Sequence, residues 1–253
     1  MFKNVITRKP SKSMVHGITT VNLGKPDYEK ALLQHSEYVK ALKGCGVNTI
    51  ELEANEDYPD SCFVEDTALL TKKCAIITNP GAESRKGEEK EISEVLKDFY
   101  DNIEVIKNPG TVEGGDIMMV GDHFYIGLSA RTNEEGARQM ISFLEKYGYT
   151  GSTVPLKEFL HLKTGVSYLG NNNLLATGEF LDSTEFREFN IIEVSKDDDY
   201  SANCIWVNGK VLVPKGFKNT RDAIIKAGYD VIELDMSEFQ KLDGGLSCLS
   251  LRF

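Results

Sequence analysis

An α/β fold built from five repeated units follows from the sequence on three grounds. A strand-like apolar run, a turn, a charged amphipathic helix and a second strand-like run recur about every fifty residues along the 253-residue chain, a period at which arrays and propellers come into consideration. No Pro/Gly/Ser-rich linker interrupts the chain, so residues 1–253 read as one continuous domain. Acidic, His, amide and Cys groups also fall at one phase of the repeat, after the second strand of each unit. A ring of such units would gather those segments around a central polar pocket.

A helix is expected over 27–43, followed by a strand over 47–52. The next unit has a strand over 75–81, a helix over 88–100 and a strand over 103–106, with Ile92, Val95 and Phe99 spaced along one helical face. The third has strands over 124–128 and 152–155 around a helix over 133–147, where Met140, Phe143, Leu144 and Tyr147 make the apolar stripe. Thr132 and Asn133 before Glu134-Glu135 provide a helix start with an acidic first turn. A shorter unit follows, with strands over 174–178 and 191–194 around a helix over 183–189. The last has strands over 211–214 and 231–234 around a helix over 220–227 that starts at Thr220. Gly148 and Gly228 stand where helix C-caps belong.

Composition narrows the function. The chain is 41% hydrophobic, enough for a substantial core, and 29 Lys plus Arg against 39 Asp plus Glu give a net charge of −10. Such a surface repels phosphate backbones and anionic lipid, which argues against nucleic-acid and membrane partners and suits a small cationic substrate. No apolar run approaches the ~20 residues of a membrane helix, and the N-terminus lacks the apolar stretch of a signal peptide. Five widely spaced cysteines without a CxxC pair indicate reduced thiols in a cytoplasmic protein.

The segments at the common phase are Asp60-Ser-Cys-Phe-Val-Glu65-Asp66, Glu113-Gly-Gly-Asp116, Leu160-His161-Leu162-Lys163, Asn203-Cys204 and Asp243-Gly-Gly-Leu-Ser-Cys248. Cys45 and Cys74 read as structural thiols, and Cys62 and Cys204 flank pocket segments. Cys248, behind two glycines, stays open between a nucleophile and an inert thiol. His16, His35 and His123 read as loop, surface or packing residues. His161 shares the phase of the acids: by itself it reads as a structural histidine, and with a nucleophilic Cys248 it becomes the acid–base partner. Glu88-Glu89, Glu91 and Asp197-Asp198-Asp199 read as solvated faces. Glu65-Asp66 and Glu113 with Asp116 lie among apolar and glycine residues, where carboxylates read as hydrogen-bonded core groups or helix caps, or, converging on one pocket, as a site for a planar cation such as a guanidinium. The same groups lack the compact sequence spacing of a metal site.

These residues identify a resemblance. The chain resembles the dimethylarginine dimethylaminohydrolases of the amidinotransferase and arginine deiminase superfamily. The matching stretches are 60–66, Thr78-Asn-Pro-Gly-Ala-Glu-Ser-Arg85, Thr111-Val-Glu-Gly-Gly-Asp116, Gly127-Leu-Ser-Ala-Arg-Thr-Asn133, Leu160-His-Leu-Lys-Thr164, Ala202-Asn-Cys-Ile205 and 243–248. The resemblance spans essentially the whole chain and implies a pentein-type α/β propeller of five pseudo-symmetric units. It implies Cys248 as the nucleophile, with His161 and Glu113 completing the catalytic set. Asp66, supported by Glu65, would take the guanidinium; Asp60 and the backbone carbonyls of Ile18 and Leu242 the α-amino group; Arg85 and Arg131 the α-carboxylate. The implied partner is a small methylated arginine; neither cofactor nor metal is required. Oligomeric state is left open, a homodimer included. Arginine deiminases typically carry an Asp two residues after the catalytic His, where this chain has Lys163. The alternatives are an arginine deiminase acting on free arginine and a non-catalytic amino-acid-binding protein on the same scaffold.

Overall fold

The structure, a computed structural model, describes all residues, 1–253. Strands β1 (Asn4–Arg8), β2 (Asn48–Leu52), β3 (Ala68–Leu70), β4 (Ala75–Ile77) and β5 (Ile103–Val105) come first, with helices α1 (Tyr28–Gly44) and α2 (Glu88–Leu96) among them. β6 (Ile117–Val120), β7 (His123–Leu128), α3 (Glu134–Lys146) and β8 (Thr150–Pro155) follow. Then come α4 (Leu162–Gly165), β9 (Val166–Gly170), β10 (Asn173–Ala176) and β11 (Asn190–Glu193). β12 (Ile205–Val207), β13 (Lys210–Pro214), α5 (Lys218–Lys226), β14 (Asp230–Leu234), α6 (Ser237–Gln240) and β15 (Leu251–Arg252) complete the chain.

The strands form five three-stranded sheets of one design. In each, the middle strand pairs antiparallel with a leading strand and parallel with the strand that follows the crossover. The β15–β1–β2 sheet differs only in connectivity: its leading strand comes from the C-terminus and pairs antiparallel with β1. Sequence reading finds the middle strand, crossover and last strand of each unit but misses the leading strands. Ala68–Leu70 and Ile205–Val207 are each three residues, too short to display a period of two.

Two helix expectations need correction. Residues 183–189 form no α-helix and hold only the short 3₁₀ turn Thr184–Phe186. Ser183 there bonds the Glu185 carboxylate at 2.7 Å, the local competition that keeps Ser, Asp and Thr out of helix interiors. Thr220 does not start α5, which begins at Lys218; the Thr220 hydroxyl is buried against Ser201 Oγ at 2.7 Å.

Contacts group the chain into two compact units, Met1–Val64 with Gly165–Arg252, and Glu65–Thr164 with Phe253. In the first, α1 turns Ala31, Gln34, His35, Tyr38, Val39 and Leu42 inward, the stripe of an amphipathic helix. Tyr38 is fully buried, and its hydroxyl donates to the Leu246 carbonyl at 2.9 Å and meets Ser250 Oγ at 2.7 Å. That anchors the segment bearing Cys248 to the core. In the second unit, Asn133 caps α3 by accepting the Gly136 N–H at 2.8 Å. Met140 and Leu144 pack with Ile76, Phe124 and Ile126, each such burial contributing about 1.5–3 kcal/mol. No helix is long and apolar enough to cross a membrane.

Candidate active site

The chain between β5 and β6 enters a 3₁₀ turn, Gly114–Asp116, which leaves Glu113 buried at its start. Glu113 Oε2 lies 2.8 Å from His161 Nε2, and its Oε1 accepts the Ala82 N–H at 3.0 Å. Arg131 Nη1 stands 3.7 Å from the same Oε1. Asp66 accepts the Gly115 N–H at 2.7 Å through Oδ1 and the Arg85 Nη1 at 2.5 Å through Oδ2. Gly115 permits this approach, since a Cβ there would stand 2.8 Å from His161 Nδ1 and 3.0 Å from Asp66 Oδ1. The glycines after Glu113 therefore bring the imidazole and a second carboxylate against the main chain.

Charge follows this packing. Burial alone would strip the proton from His161, but the Asp66 and Asp116 carboxylates and the hydrogen bond to Glu113 outweigh it and raise its pKa to about 9. Burial pushes Glu113 the other way from its neighbours, and the bonded imidazolium with the Arg85 charge holds its carboxyl well below the ordinary range. The pair is thus a carboxylate and an imidazolium at neutral pH, a proton donor already loaded. Donor atoms of Asp66, Glu113 and His161 lie within 4.8 Å of one another, a cluster that sequence spacing does not reveal. Each already holds a proton-mediated contact, so the set reads as an acid–base array.

Glu88 corrects the sequence reading. The acidic run places it on a solvated face, yet Glu88 is 5% exposed and receives Arg85 Nε at 3.1 Å and Nη2 at 2.7 Å. Arg85, implied to clamp an α-carboxylate, is itself buried and forks between Glu88 and Asp66. Lys163 reaches Glu65 Oε1 at 2.5 Å, with both side chains largely enclosed. Glu65, Asp66, Arg85, Glu113, Arg131 and His161 therefore all belong to the second unit.

The first unit carries the other implied residues. Asp60 accepts the Ile18 N–H at 3.1 Å. A Cβ at Gly17 would lie 2.7 Å from Asp60 Oδ1 and 3.3 Å from Leu242 Cδ1, so these three positions meet. Cys248 sits, partly exposed, in the 3₁₀ turn Ser247–Leu249, and the Gly245 N–H points at its sulfur over 3.4 Å. Asn203 holds this turn: its Oδ1 accepts the Ser247 N–H at 2.9 Å and its Nδ2 donates to Ser247 Oγ at 3.1 Å. Sequence phase marked Asn203 but gave it no role. Cys62 and Cys204 are buried, and burial pushes the Cys204 thiol up to about 12, unsuited to nucleophilic work at neutral pH.

Comparison with known proteins completes the assignment. The family model for N,N dimethylarginine dimethylhydrolase, eukaryotic, matches residues 24–250. The N(G),N(G)-dimethylarginine dimethylaminohydrolase of Pseudomonas aeruginosa is 59% identical over 254 residues, covering 100% of both chains. A solved structure of DDAH from Pseudomonas aeruginosa, a Cys-to-Ser mutant complexed with citrulline, matches with a TM-score of 0.99 at 58% identity over 100% of each chain. A solved dimethylarginine dimethylaminohydrolase with a His-to-Gly change, in an adduct with S-methyl-L-thiocitrulline, gives the same TM-score of 0.99, again at 58% identity over 100% of each chain. Five like α/β units with a buried carboxylate–imidazole pair define, with these matches, a hydrolase. The chain belongs to the N,N dimethylarginine dimethylhydrolase family. Its fold class is the five-unit α/β propeller of pentein type that the resemblance implies, in accord with the five-fold repeat.

Proposed function

We infer that this chain hydrolyses Nω-methylated arginines, asymmetric dimethylarginine and monomethylarginine, to citrulline and dimethylamine or methylamine. The observation that carries the reading is the buried Glu113–His161 pair at 2.8 Å, a held imidazolium in a chain that is 59% identical along its whole length to a dimethylarginine dimethylaminohydrolase.

Cys248 attacks the guanidinium carbon as thiolate, forming the C–S bond. The carbon–nitrogen bond then breaks, and His161 gives its proton to the departing amine, leaving a thiouronium on sulfur. His161, now neutral, takes a proton from water, whose oxygen attacks the same carbon. As the C–S bond breaks, the hydroxyl proton passes to solvent (where the free amine takes it up), citrulline leaves and the thiolate returns. Glu113 keeps the imidazole oriented and charged. The Gly245 N–H aimed at Sγ favours the thiolate. Asp66 and Glu65 serve the guanidinium end; Asp60, Ile18 and Leu242 the α-amino group; Arg85 and Arg131 the α-carboxylate. Neither cofactor nor metal enters any step.

Residues 1–253 act as one domain in this reading, in the cytoplasm, where the absence of any disulfide among five cysteines is at home. The proposed assembly is a homodimer, which light scattering would check. Lys163 bonds Glu65, so the guanidinium end has fewer open acceptors and suits a nitrogen whose protons are replaced by methyl groups. The test is citrulline release from arginine, monomethylarginine and the two dimethylarginine isomers. The monomethyl and asymmetric dimethyl compounds should show the higher kcat/KM. An arginine preference of about tenfold or more, ~1.4 kcal/mol in barrier terms, would assign the chain to deimination instead.

A further inference from the structure

The reaction above leaves one fully buried carboxylate of the Glu-Gly-Gly-Asp stretch unused. We propose that Asp116 is a positioning residue whose two oxygens hold the acid–base segment and the Arg131 turn in one register, Oδ1 acting on His161 and Oδ2 on Arg131. The proposal rests on the functional reading just given.

Asp116 is 0% exposed, and every polar contact it makes leads to a residue with a role. Oδ1 accepts the Leu162 N–H at 3.0 Å. That N–H belongs to the peptide joining His161 to Leu162, so the bond fixes the backbone from which the imidazole projects. Oδ2 accepts the Ser129 hydroxyl at 2.7 Å. The Ser129 oxygen in turn accepts the N–H groups of Arg131 at 3.0 Å and Thr132 at 3.2 Å, and the Ser129 N–H returns to the Thr132 carbonyl at 3.1 Å. The result is a closed turn over 129–132 that sets where the Arg131 side chain leaves the backbone. The Thr132 hydroxyl oxygen also accepts the Glu113 N–H at 3.1 Å. Gly127 makes room for this, because a Cβ there would fall 2.9 Å from Asp116 Oδ1.

The directions of these bonds require a carboxylate. Ser129 has one hydroxyl proton and accepts two N–H groups, so that proton is free only to go to Asp116. An Asn at 116 has one acceptor oxygen, and its NH₂ would face either the Leu162 N–H or a hydroxyl. One of the two links must then fail. The negative charge of Asp116 also favours the imidazolium form of His161.

A core carboxylate with no positioning role would change only the amount of folded protein. The test therefore uses the intact chain with asymmetric dimethylarginine as substrate and corrects rates for folded protein. Ser129→Ala should raise KM by about fivefold or more while kcat falls less than about twofold, and Ser129→Thr, which keeps the hydroxyl, should restore KM. In an Arg131→Ala background, Ser129→Ala should add nothing to KM, because the two act as a unit. Asp116→Asn should lower kcat by about tenfold or more and, in an NMR titration of His161 without substrate, move its titration to lower pH; Ser129→Ala should leave that titration in place.

An unchanged KM in Ser129→Ala, or an equal rise with and without Arg131, would overturn the Oδ2 link. A His161 titration unmoved in Asp116→Asn would overturn the Oδ1 link. If Asp116→Asn does not fold, Gly127→Ala, which crowds Oδ1, takes its place in the same titration. Absence of citrulline release from the wild type would sink the functional reading instead, and the substrate-free titration would still decide the role of Asp116.

Discussion

His35 should make the protein lose stability in mild acid. The imidazole sits on α1 at 2% exposure, and its Nε2 meets no hydrogen-bond partner. Its Nδ1 lies 3.7 Å from Glu51 Oε2, a contact that would favour the charged ring. Burial, followed by the Lys9 charge, nevertheless lowers the pKa from 6.5 to about 4, against a smaller upward pull from the Arg8 backbone hydrogen bond. Burial prevails because the Glu51 carboxylate is a third open to water and lies 4.0 Å from the Lys9 ammonium. The unfolded chain takes up this proton near pH 6.5 while the folded chain refuses it until about pH 4. Stability is therefore complete above the unfolded value and is lost as pH falls through that window. At roughly 1.4 kcal/mol per pH unit, the loss approaches about 3 kcal/mol by pH 4. Urea unfolding of the wild type and His35→Gln at pH 7 and near pH 4.5 measures it. The variant should lose about 2 kcal/mol less between the two conditions; parallel losses would refute the reasoning.

Other expectations follow from the same contacts. Gly115→Ala places a methyl 2.8 Å from His161 Nδ1, so kcat should fall by about a hundredfold in folded protein; near-normal turnover would mean the imidazole's place is not critical. Glu88→Ala removes a partner of buried Arg85 and should destabilise by about 3 kcal/mol or more, read as a lower urea midpoint. Arg131→Ala should raise KM more than it lowers kcat, and agmatine, which lacks the α-carboxylate, should be a poor substrate of the wild type. On the alkaline side, His161 contributes stability that is complete below about pH 6.5 and is lost as pH rises through about 9; alkaline melts of the wild type and His161→Gly should converge.

Legibility in the sequence depended on how local each signal was. α1 and α3 were readable because a long apolar stripe and an Asx cap lie within one segment, with Asp27 accepting the Lys30 N–H and Asn133 the Gly136 N–H. Glu113 and His161 were found because the repeat gives them a common phase, although 48 positions separate them. Glu88 was missed because it opens an acidic run that looks solvated; its one local signal was Arg85 three positions earlier, a spacing at which side chains meet. Asp116 was visible in its motif, but its partners Ser129 and Leu162 lie 13 and 46 positions away. Of the leading strands, β3 and β12 gave no sign because three residues hold no period, and their pairing comes from the sheet they join.

The most direct test of the account is the mass of the protein caught during turnover. His161→Gly, incubated with asymmetric dimethylarginine and acid-quenched, should carry a slowly accumulating thiouronium, located by peptide mapping on Cys248. Cys248→Ser should carry none and release no citrulline. Citrulline release by Cys248→Ser at more than about a tenth of the wild-type rate, or an adduct on any other residue, would contradict it.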